Sequence, residues 1–349
     1  MSDYIGILLD GSKFKRIPQR KYGHERLNFY NKAAKTYGMI PFYLTINKVN
    51  FTEGTAQGFI YQNEKYYYKK RPIPKIIHNR SLSTAESIRY KVKQLSKVSY
   101  LYNEQTRYSK NYVHQLLAKS NLIRSNLPYT LPLNKTNLSF MIQHFPSLYI
   151  KPSNGSLGLG IIRIDKWKNR WIIRFSDSMK IISHDQLLSI LTKLTKDRYY
   201  IIQQTVPLAK INGGAFDIRV TVQRNRIGEW QVTGMVAKAA RRGKHVSNVA
   251  RGGKVYRLEP TLKKLNLNVT NTKQSIQRLA IYIAQHLNQY LPHLADIGLD
   301  IGIDKNGKPY FIEFNGRDLR YSFQLGKLHK EWYNTFKTPI AYGKYLLQK

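Results

Sequence analysis

The stretch LDIGIDKNGKPYFIEFN, residues 299–315, reads as a β-hairpin and sets the reading of the whole chain. Asn306-Gly307 is a strong two-residue turn signal, because a type I′ turn requires positive φ at both central positions. Pairing outward from Lys305 and Lys308 then sets Asp300 directly opposite Glu313. Leu299, Ile301 and Ile303 alternate with Asp300, Gly302 and Asp304, while Tyr310, Ile312 and Phe314 alternate with Phe311, Glu313 and Asn315. Carboxylates so opposed have Cβ atoms about 5 Å apart and repel. A divalent cation, an Arg or Lys, or a shared proton would neutralise them. The oxygen-only trio Asp300, Glu313 and Asn315 suits Mg²⁺, with water and phosphate oxygens completing its shell. A solvated sheet face crowded with cations is the plain alternative.

The chain has 349 residues, 42% of them hydrophobic, enough to bury a substantial core in two or three lobes. No apolar run reaches the roughly 18 residues needed to span a bilayer, and MSDYIGILLDGSKF lacks a basic stretch followed by an apolar one, so we expect an unexported protein with no membrane span. With no cysteine, disulfides, thiol nucleophiles and thiolate metal sites are excluded. The 58 basic residues against 20 acidic ones give a formal charge of +38, which points to a polyanionic partner: nucleic acid, an acidic polypeptide or a phosphorylated ligand. The 26 tyrosines could stack on single-stranded nucleic acid, but Tyr is equally a residue of strands and cores, and nucleic acid is not the favoured partner.

Changes of pattern organise the chain. YIGILL and MIPFYLTI read as strands about the helix ERLNFYNKAAKTYG, whose Leu27, Tyr30, Ala34 and Tyr37 share one face; GFIYQ and KYYYKK add two strands. RYSKNYVHQLLAKSNL is a helix with Val113, Leu116 and Leu117 inward. SLYIKPSNGSLGLGIIRI and RWIIRFSD have hairpin character, HDQLLSILTKL is helical, and RYYIIQQTV is a strand. FDIRVTVQRN and EWQVTGMVAKAA form another hairpin, and KQSIQRLAIYIAQHL is amphipathic through Ile276, Leu279, Ile283 and Leu287. The fold class is therefore α/β and α+β: a small N-terminal α/β lobe followed by two α+β lobes.

Lys151 ends an apolar strand and precedes Gly155, Gly158 and Gly160, after which another strand begins. Glycines let backbone N–H groups approach phosphate oxygens, and a strand-end Lys adds a fixed charge. The spacing is neither G-x-G-x-x-G nor a Walker motif, and no helix follows. A phosphate flap within a hairpin and a plain hairpin loop with an incidental Lys both fit.

Together these residues resemble the ATP-grasp superfamily from about residue 106 to 320. Lys110 opens a helix, Lys151 leads into a glycine flap, IIQQTV leads to a hinge, DIRV follows, and Asp300 precedes IEFN by thirteen residues, all in the family's order. GGAFDIRVTV and SNVARGG are most similar to RimK-type ligases, and the first lobe with WQVTGMVAKAA resembles the YheC/YheD group associated with bacterial endospore coats. The resemblance implies an ATP-grasp fold: a pre-grasp lobe over 1–105, a helical connection over 106–147, a small lobe over 148–205 with the flap, and a large lobe over 206–349 with the metal site. It implies that Lys110 and Lys151 contact ATP phosphates, that Asn154, Gly155, Ser156, Gly158 and Gly160 close over them, and that Gln203, Gln204 and Val206 form the adenine hinge. Arg219 would meet the γ-phosphate and the acyl group, or else be a strand-face Arg paired with Asp217 or water. Asp300, Glu313 and Asn315 would hold Mg²⁺, with Mn²⁺ an alternative. Ser247, Asn248, Arg251, Gly252 and Gly253 match a segment near the phosphates and acceptor.

The activity so implied is ADP-forming carboxylate–amine ligation. The segment 235–257 holds seven Lys or Arg and no acid, which motivates an acidic peptide, protein or small carboxylate substrate; a solvated basic edge is the duller reading. Rivals are a spore-coat scaffold that keeps the fold without turnover, and a polyanion-binding module. The expected setting is cytoplasmic or spore-associated. The Gly316-Arg317-Asp318 loop departs from the family's Pro-Gly pattern and is expected to face substrate, with Arg317 beside Arg219 in the acceptor groove. Leu208-Ala209 lacks the acidic residue that often holds ribose.

Overall fold

The computed structural model describes residues 3–82, 85–155, 158–175, 178–195, 199–240 and 253–349. Its first part comprises β1 (Asp3–Leu8), α1 (Gly11–Phe14), α2 (Leu27–Thr36), β2 (Met39–Asn50), β3 (Thr55–Gln62), β4 (Lys65–Pro72), β5 (Ile76–Asn79), α3 (Glu86–Val98) and β6 (Tyr100–Tyr102). The sheet order is β4-β3-β2-β1-β5-β6, with β2, β1, β5 and β6 parallel and the β2-β3-β4 meander antiparallel. Side-chain alternation sends Ile5, Ile7 and Tyr43 toward Leu27, Tyr30 and Ala34 of α2, and Leu8, Phe42 and Leu44 toward Val92 and Leu95 of α3. Parallel strands need both faces covered, and these two helices do it.

Next come α4 (Lys110–Ala118), α5 (Asn121–Arg124), β7 (Thr130–Pro132), α6 (Lys135–His144), β8 (Ser147–Pro152), β9 (Ile162–Trp167), β10 (Arg170–Arg174), β11 (Met179–Ile182), α7 (His184–Thr195) and β12 (Tyr200–Gln204). These strands make an antiparallel sheet, β11-β10-β9-β8-β12-β7. Leu138 and Met141 of α6 and Leu187 and Leu191 of α7 pack on its buried side.

The last part holds β13 (Lys210–Ile211), β14 (Gly214–Arg224), β15 (Trp230–Ala239), β16 (Lys254–Tyr256), α8 (Leu258–Lys264), α9 (Val269–Asn288), β17 (Asp296–Ile303), β18 (Pro309–Asn315), α10 (Tyr321–Leu325) and α11 (His329–Leu347). The order is β16-β15-β14-β17-β18, antiparallel, with β13 against β14. Ile276, Leu279, Ile283 and Leu287 of α9 meet Ile218, Val220, Leu299 and Ile301 of the sheet. At about 1.5–3 kcal/mol for each large apolar side chain withdrawn from water, this layer firmly fixes which face of β14 and β17 is apolar. Their other face is left for polar groups.

The hairpin of β17 and β18 keeps the expected Asp300–Glu313 pairing but reaches it differently. Its loop has three residues: Gly307 N donates to Asp304 O at 3.1 Å, Asp304 N to Lys308 O at 3.1 Å, and Gly307 alone of the turn takes positive φ, 81°. This is a type I turn closed by a left-handed glycine, not a type I′ turn. It shifts the register near the turn by one residue, and a bulge at Ile312 restores it. Phe311 therefore pairs with Ile301 and enters the core, instead of sharing the face of Glu313 as simple alternation expects.

The C-terminal helix α11 is absent from the sequence reading. It packs across the first sheet, where Trp332, Phe336 and Ile340 join Tyr30 and Ile5. Pro339 lies inside it and lacks the N–H that would bond the carbonyl of Thr335; the Gln223 side chain supplies the missing donor at 2.8 Å.

Candidate active site

On the polar face of the third sheet, Asp217, Arg219, Thr221 and Gln223 line β14, because Phe216, Ile218, Val220 and Val222 take the apolar side. Strand register brings Asp217 opposite Lys238, Arg219 opposite Asp300, and Asp300 opposite Glu313. Lys238 Nζ lies 2.8 Å from both Asp217 Oδ1 and Asp300 Oδ1. Arg219 Nε approaches Asp300 Oδ1 at 3.1 Å, and its Nη1 lies 3.6 Å from Asp318 Oδ1. Of the three ways to neutralise the opposed carboxylates, the chain itself supplies Arg and Lys. Arg219 pairs with Asp300 and Asp318 rather than Asp217.

Lys110 opens α4, whose N-cap Ser109 accepts from Tyr112 N. Its Nζ lies 3.0 Å from Glu313 Oε1 and donates to Gly155 O at 2.8 Å, so one side chain ties β18 to the base of the glycine loop. Lys151 on β8 donates to Gln203 Oε1 at 2.5 Å, and Gln203 Nε2 donates to Thr130 Oγ1 at 2.8 Å. Gln204 N and Thr205 N are taken by Tyr129 O and Ser147 O, and the Val206 carbonyl accepts from Leu208 N. Asn154 is exposed, and Gly158 and Gly160 take positive φ before β9.

Burial pushes the Lys151 ammonium down to about 8, with Lys110 adding to the effect and Glu313 opposing it. Burial also pushes Asp217 up to about 6; the negative Asp300 adds to this and Lys238 resists it. For Asp300 burial acts in the same direction, but Arg219 and Lys238 outweigh it and hold the carboxyl below its usual value.

A family model of YheC/D-like ATP-grasp proteins matches residues 99–346. The chain belongs to that family. It is 27% identical over 344 residues to the endospore coat-associated protein YheD of Bacillus subtilis (strain 168), a match spanning 93% of this chain and 75% of that one. Its fold is the ATP-grasp fold. D-cycloserine synthetase DcsG superposes with a TM-score of 0.55 at 12% identity, covering 97% of this chain and 99% of that chain. The ATP-grasp ligase PsnB complexed with minimal precursor, Mg and ADP gives 0.54 at 14% identity, covering 95% and 98%.

Within this ATP-grasp frame, the donor set at β17 and β18 is two carboxylates and an amide. Among the described residues no three His, Cys, Asp or Glu side chains gather as a metal site. The set fits a hard dication that takes its remaining ligands from phosphate and water. Asn315 Nδ2 is a buried donor without a partner, costing about 1–3 kcal/mol, and fits an acceptor such as a phosphate oxygen, while a dication would take the amide oxygen.

Arg317 is not in a groove with Arg219. Its side chain is buried, 3.2 Å from Asp10 and 3.7 Å from Glu25, so the Gly316-Arg317-Asp318 loop turns toward the first sheet instead of open substrate space. Ser156, Ser247, Asn248, Arg251 and Gly252 lie outside the described residues. Lys238 and Thr221, which sequence reasoning missed, and Asp318, which it placed in a loop facing substrate, join this polar cluster. A bulge in β15 beside Thr221 shifts the hairpin register, so Lys238 could not be set opposite Asp217 by counting.

Proposed function

We propose that the protein is an ATP- and Mg²⁺-dependent carboxylate–amine ligase acting on an acidic peptide or protein. The observation that carries this reading is the run of contacts from Arg219 to Asp300, across the strands to Glu313, and through Lys110 to Gly155 at the base of the glycine loop, with Lys151 close enough to feel both Glu313 and Lys110. Family membership supports it, as do fold neighbours named as a synthetase and a ligase bound to Mg and ADP. The lobes would divide at 1–105, 106–147, 148–205 and 206–349.

In this reading Lys110 and Lys151 hold the ATP phosphates, and Asn154, Gly155, Ser156, Gly158 and Gly160 cover them. Gln203, Gln204 and Val206 border the adenine, while Asn248 and Arg251 face the phosphates and acceptor. Asp300, Glu313 and Asn315 would hold the dication, Mg²⁺ or alternatively Mn²⁺, which when bound offsets phosphate charge. A substrate carboxylate oxygen attacks the γ-phosphorus, the bond to the β–γ bridging oxygen breaks, and ADP leaves. An amine then attacks the acyl phosphate carbon, releasing phosphate and a proton. Arg219 offsets charge on the transferring group, and loop closure keeps water from the acyl phosphate.

The +38 charge favours an acidic substrate. Among the described residues no helix is long and apolar enough to cross a membrane. YheD is named as endospore coat-associated, and we propose a cytoplasmic or spore-associated setting for this chain also. The ion pairs already made by Asp300 favour a second reading, a coat scaffold that keeps the fold without turnover. ADP release over a panel of acidic peptides and amino acids separates the two. Wild-type release no greater than that of Glu313→Ala would refute the enzyme.

A further inference from the structure

Arg219 is gripped by two carboxylates that differ in kind. Asp300 also receives Lys238 and, in the function proposed above, is shared with a dication, so its hold on Arg219 weakens when the site is loaded. Asp318 has no such competing duty. Its side chain is 1% exposed; Oδ2 accepts the Thr221 hydroxyl, Oδ1 accepts Arg320 N at 3.3 Å, and Oδ1 lies 3.6 Å from Arg219 Nη1.

The sheet is shaped around this pair. Gly298 on β17 lies beneath it, and a Cβ there would stand 2.6 Å from Arg219 Nη1 and 3.0 Å from Asp318 Cγ. A side chain at 298 would press on both the guanidinium and the Asp318 carboxyl, and one of them would have to shift.

The loop carrying Asp318 is fastened from the first sheet. Arg80, just beyond β5, donates from Nη2 to Asp318 O at 2.7 Å and is itself paired with Glu25 at 2.8 Å and Asp296 at 3.3 Å. Asn103, after β6, donates to Gly316 O at 2.7 Å. Arg320 closes the loop in the left-handed region, φ 62°, which is strained for a non-glycine residue, and its guanidinium is held by Asp296 and Tyr30. A loop fixed at both ends gives Arg219 a reference that loading the site leaves in place.

We propose that Asp318 is the positioning residue that keeps Arg219 aimed at the γ-phosphate when Asp300 is drawn to the dication, and that Arg80 sets Asp318 from the first sheet. This rests on the role given to Arg219 above.

The test is calorimetric binding of Mg·AMPPNP and Mg·ADP to the wild type, Asp318→Asn, Thr221→Val and Arg219→Ala, with melting temperatures measured without nucleotide. Loss of one charge-assisted contact to the γ-phosphate predicts that Asp318→Asn weakens AMPPNP about tenfold while ADP stays within about twofold. Thr221→Val, which frees the carboxylate without removing it, shifts AMPPNP the same way by about threefold and decides the matter if Asp318→Asn does not fold. Equal effects on both nucleotides, or none on either, overturn the positioning role. If Arg219→Ala loses the preference for AMPPNP while both other variants keep it, Asp318 alone is misassigned. A wild type that binds neither nucleotide overturns the nucleotide site and this inference with it.

Discussion

Asp300 lies directly across from Glu313 on neighbouring strands, and the two carboxylates are neutralised from different sides: Lys238 and Arg219 hold Asp300, and Lys110 holds Glu313. Asp300 is part of a buried cluster, whereas the Glu313 side chain is 33% exposed. The two should respond differently to substitution.

Glu313→Gln removes a proposed metal ligand but keeps an oxygen acceptor for Lys110, which is 20% exposed and still donates to Gly155 O. Stability should change by less than about 1 kcal/mol, while affinity for Mg·ADP falls about tenfold or more. Urea melts and calorimetry on the same samples check both halves.

Lys238→Met leaves Asp217 and Asp300 facing each other without their shared cation. Breaking a buried ion cluster in this way costs about 3–5 kcal/mol. Asp217 already binds its proton more tightly in the folded chain than in the unfolded one, because burial pushes it up to about 6. Stability from that group therefore rises as pH falls through its folded pKa. The deficit of Lys238→Met relative to wild type should be smaller at pH 5 than at pH 8, as urea melts at the two pH values will show.

Lys151 is charged below about pH 8, the value to which burial lowers it. Its attraction for phosphate should therefore be full at pH 6.5 and fade as pH rises above 8. Lys151→Arg stays charged throughout and should flatten the dependence of the Mg·ADP dissociation constant between pH 6.5 and 9.5.

Glu25 is buried; burial favours its neutral form, but Arg80, Arg317 and Arg320 prevail and pull it down to about 2. A carboxyl so lowered stabilises the fold above its unfolded value near 4.5, and the contribution, about 3 kcal/mol, is lost as pH falls from about 5 to 2. Thermal melts of wild type should show that decline. Glu25→Gln should melt lower at pH 7 and lose less between pH 5 and 2.

Much of this was legible because periodicity and local turn chemistry carry it. The apolar stripe of α9 through Ile276, Leu279, Ile283 and Leu287 could be read directly, and so could the Asp300–Glu313 pairing. That pairing held although the turn has three residues, because the bulge at Ile312 offsets the shift; the fate of Phe311 shows what simple alternation misses. Helix α11 was hidden by Pro339, whose cost is met by Gln223 far away in sequence. The destination of Arg317 was equally hidden, since its partner Asp10 lies at the other end of the chain. Tertiary partners of buried charges leave no local signal.

The central claim, activation of a carboxylate by ATP at this site, is tested most directly with hydroxylamine as the amine. The protein is incubated with Mg·ATP, hydroxylamine and a set of acidic amino acids and peptides, and hydroxamate and ADP are measured together. Equal amounts of both are expected with at least one carboxylate, and neither from Arg219→Ala or Glu313→Ala. Wild-type protein that binds Mg·ATP yet forms no hydroxamate with any carboxylate, or ADP release that survives both substitutions, would contradict it.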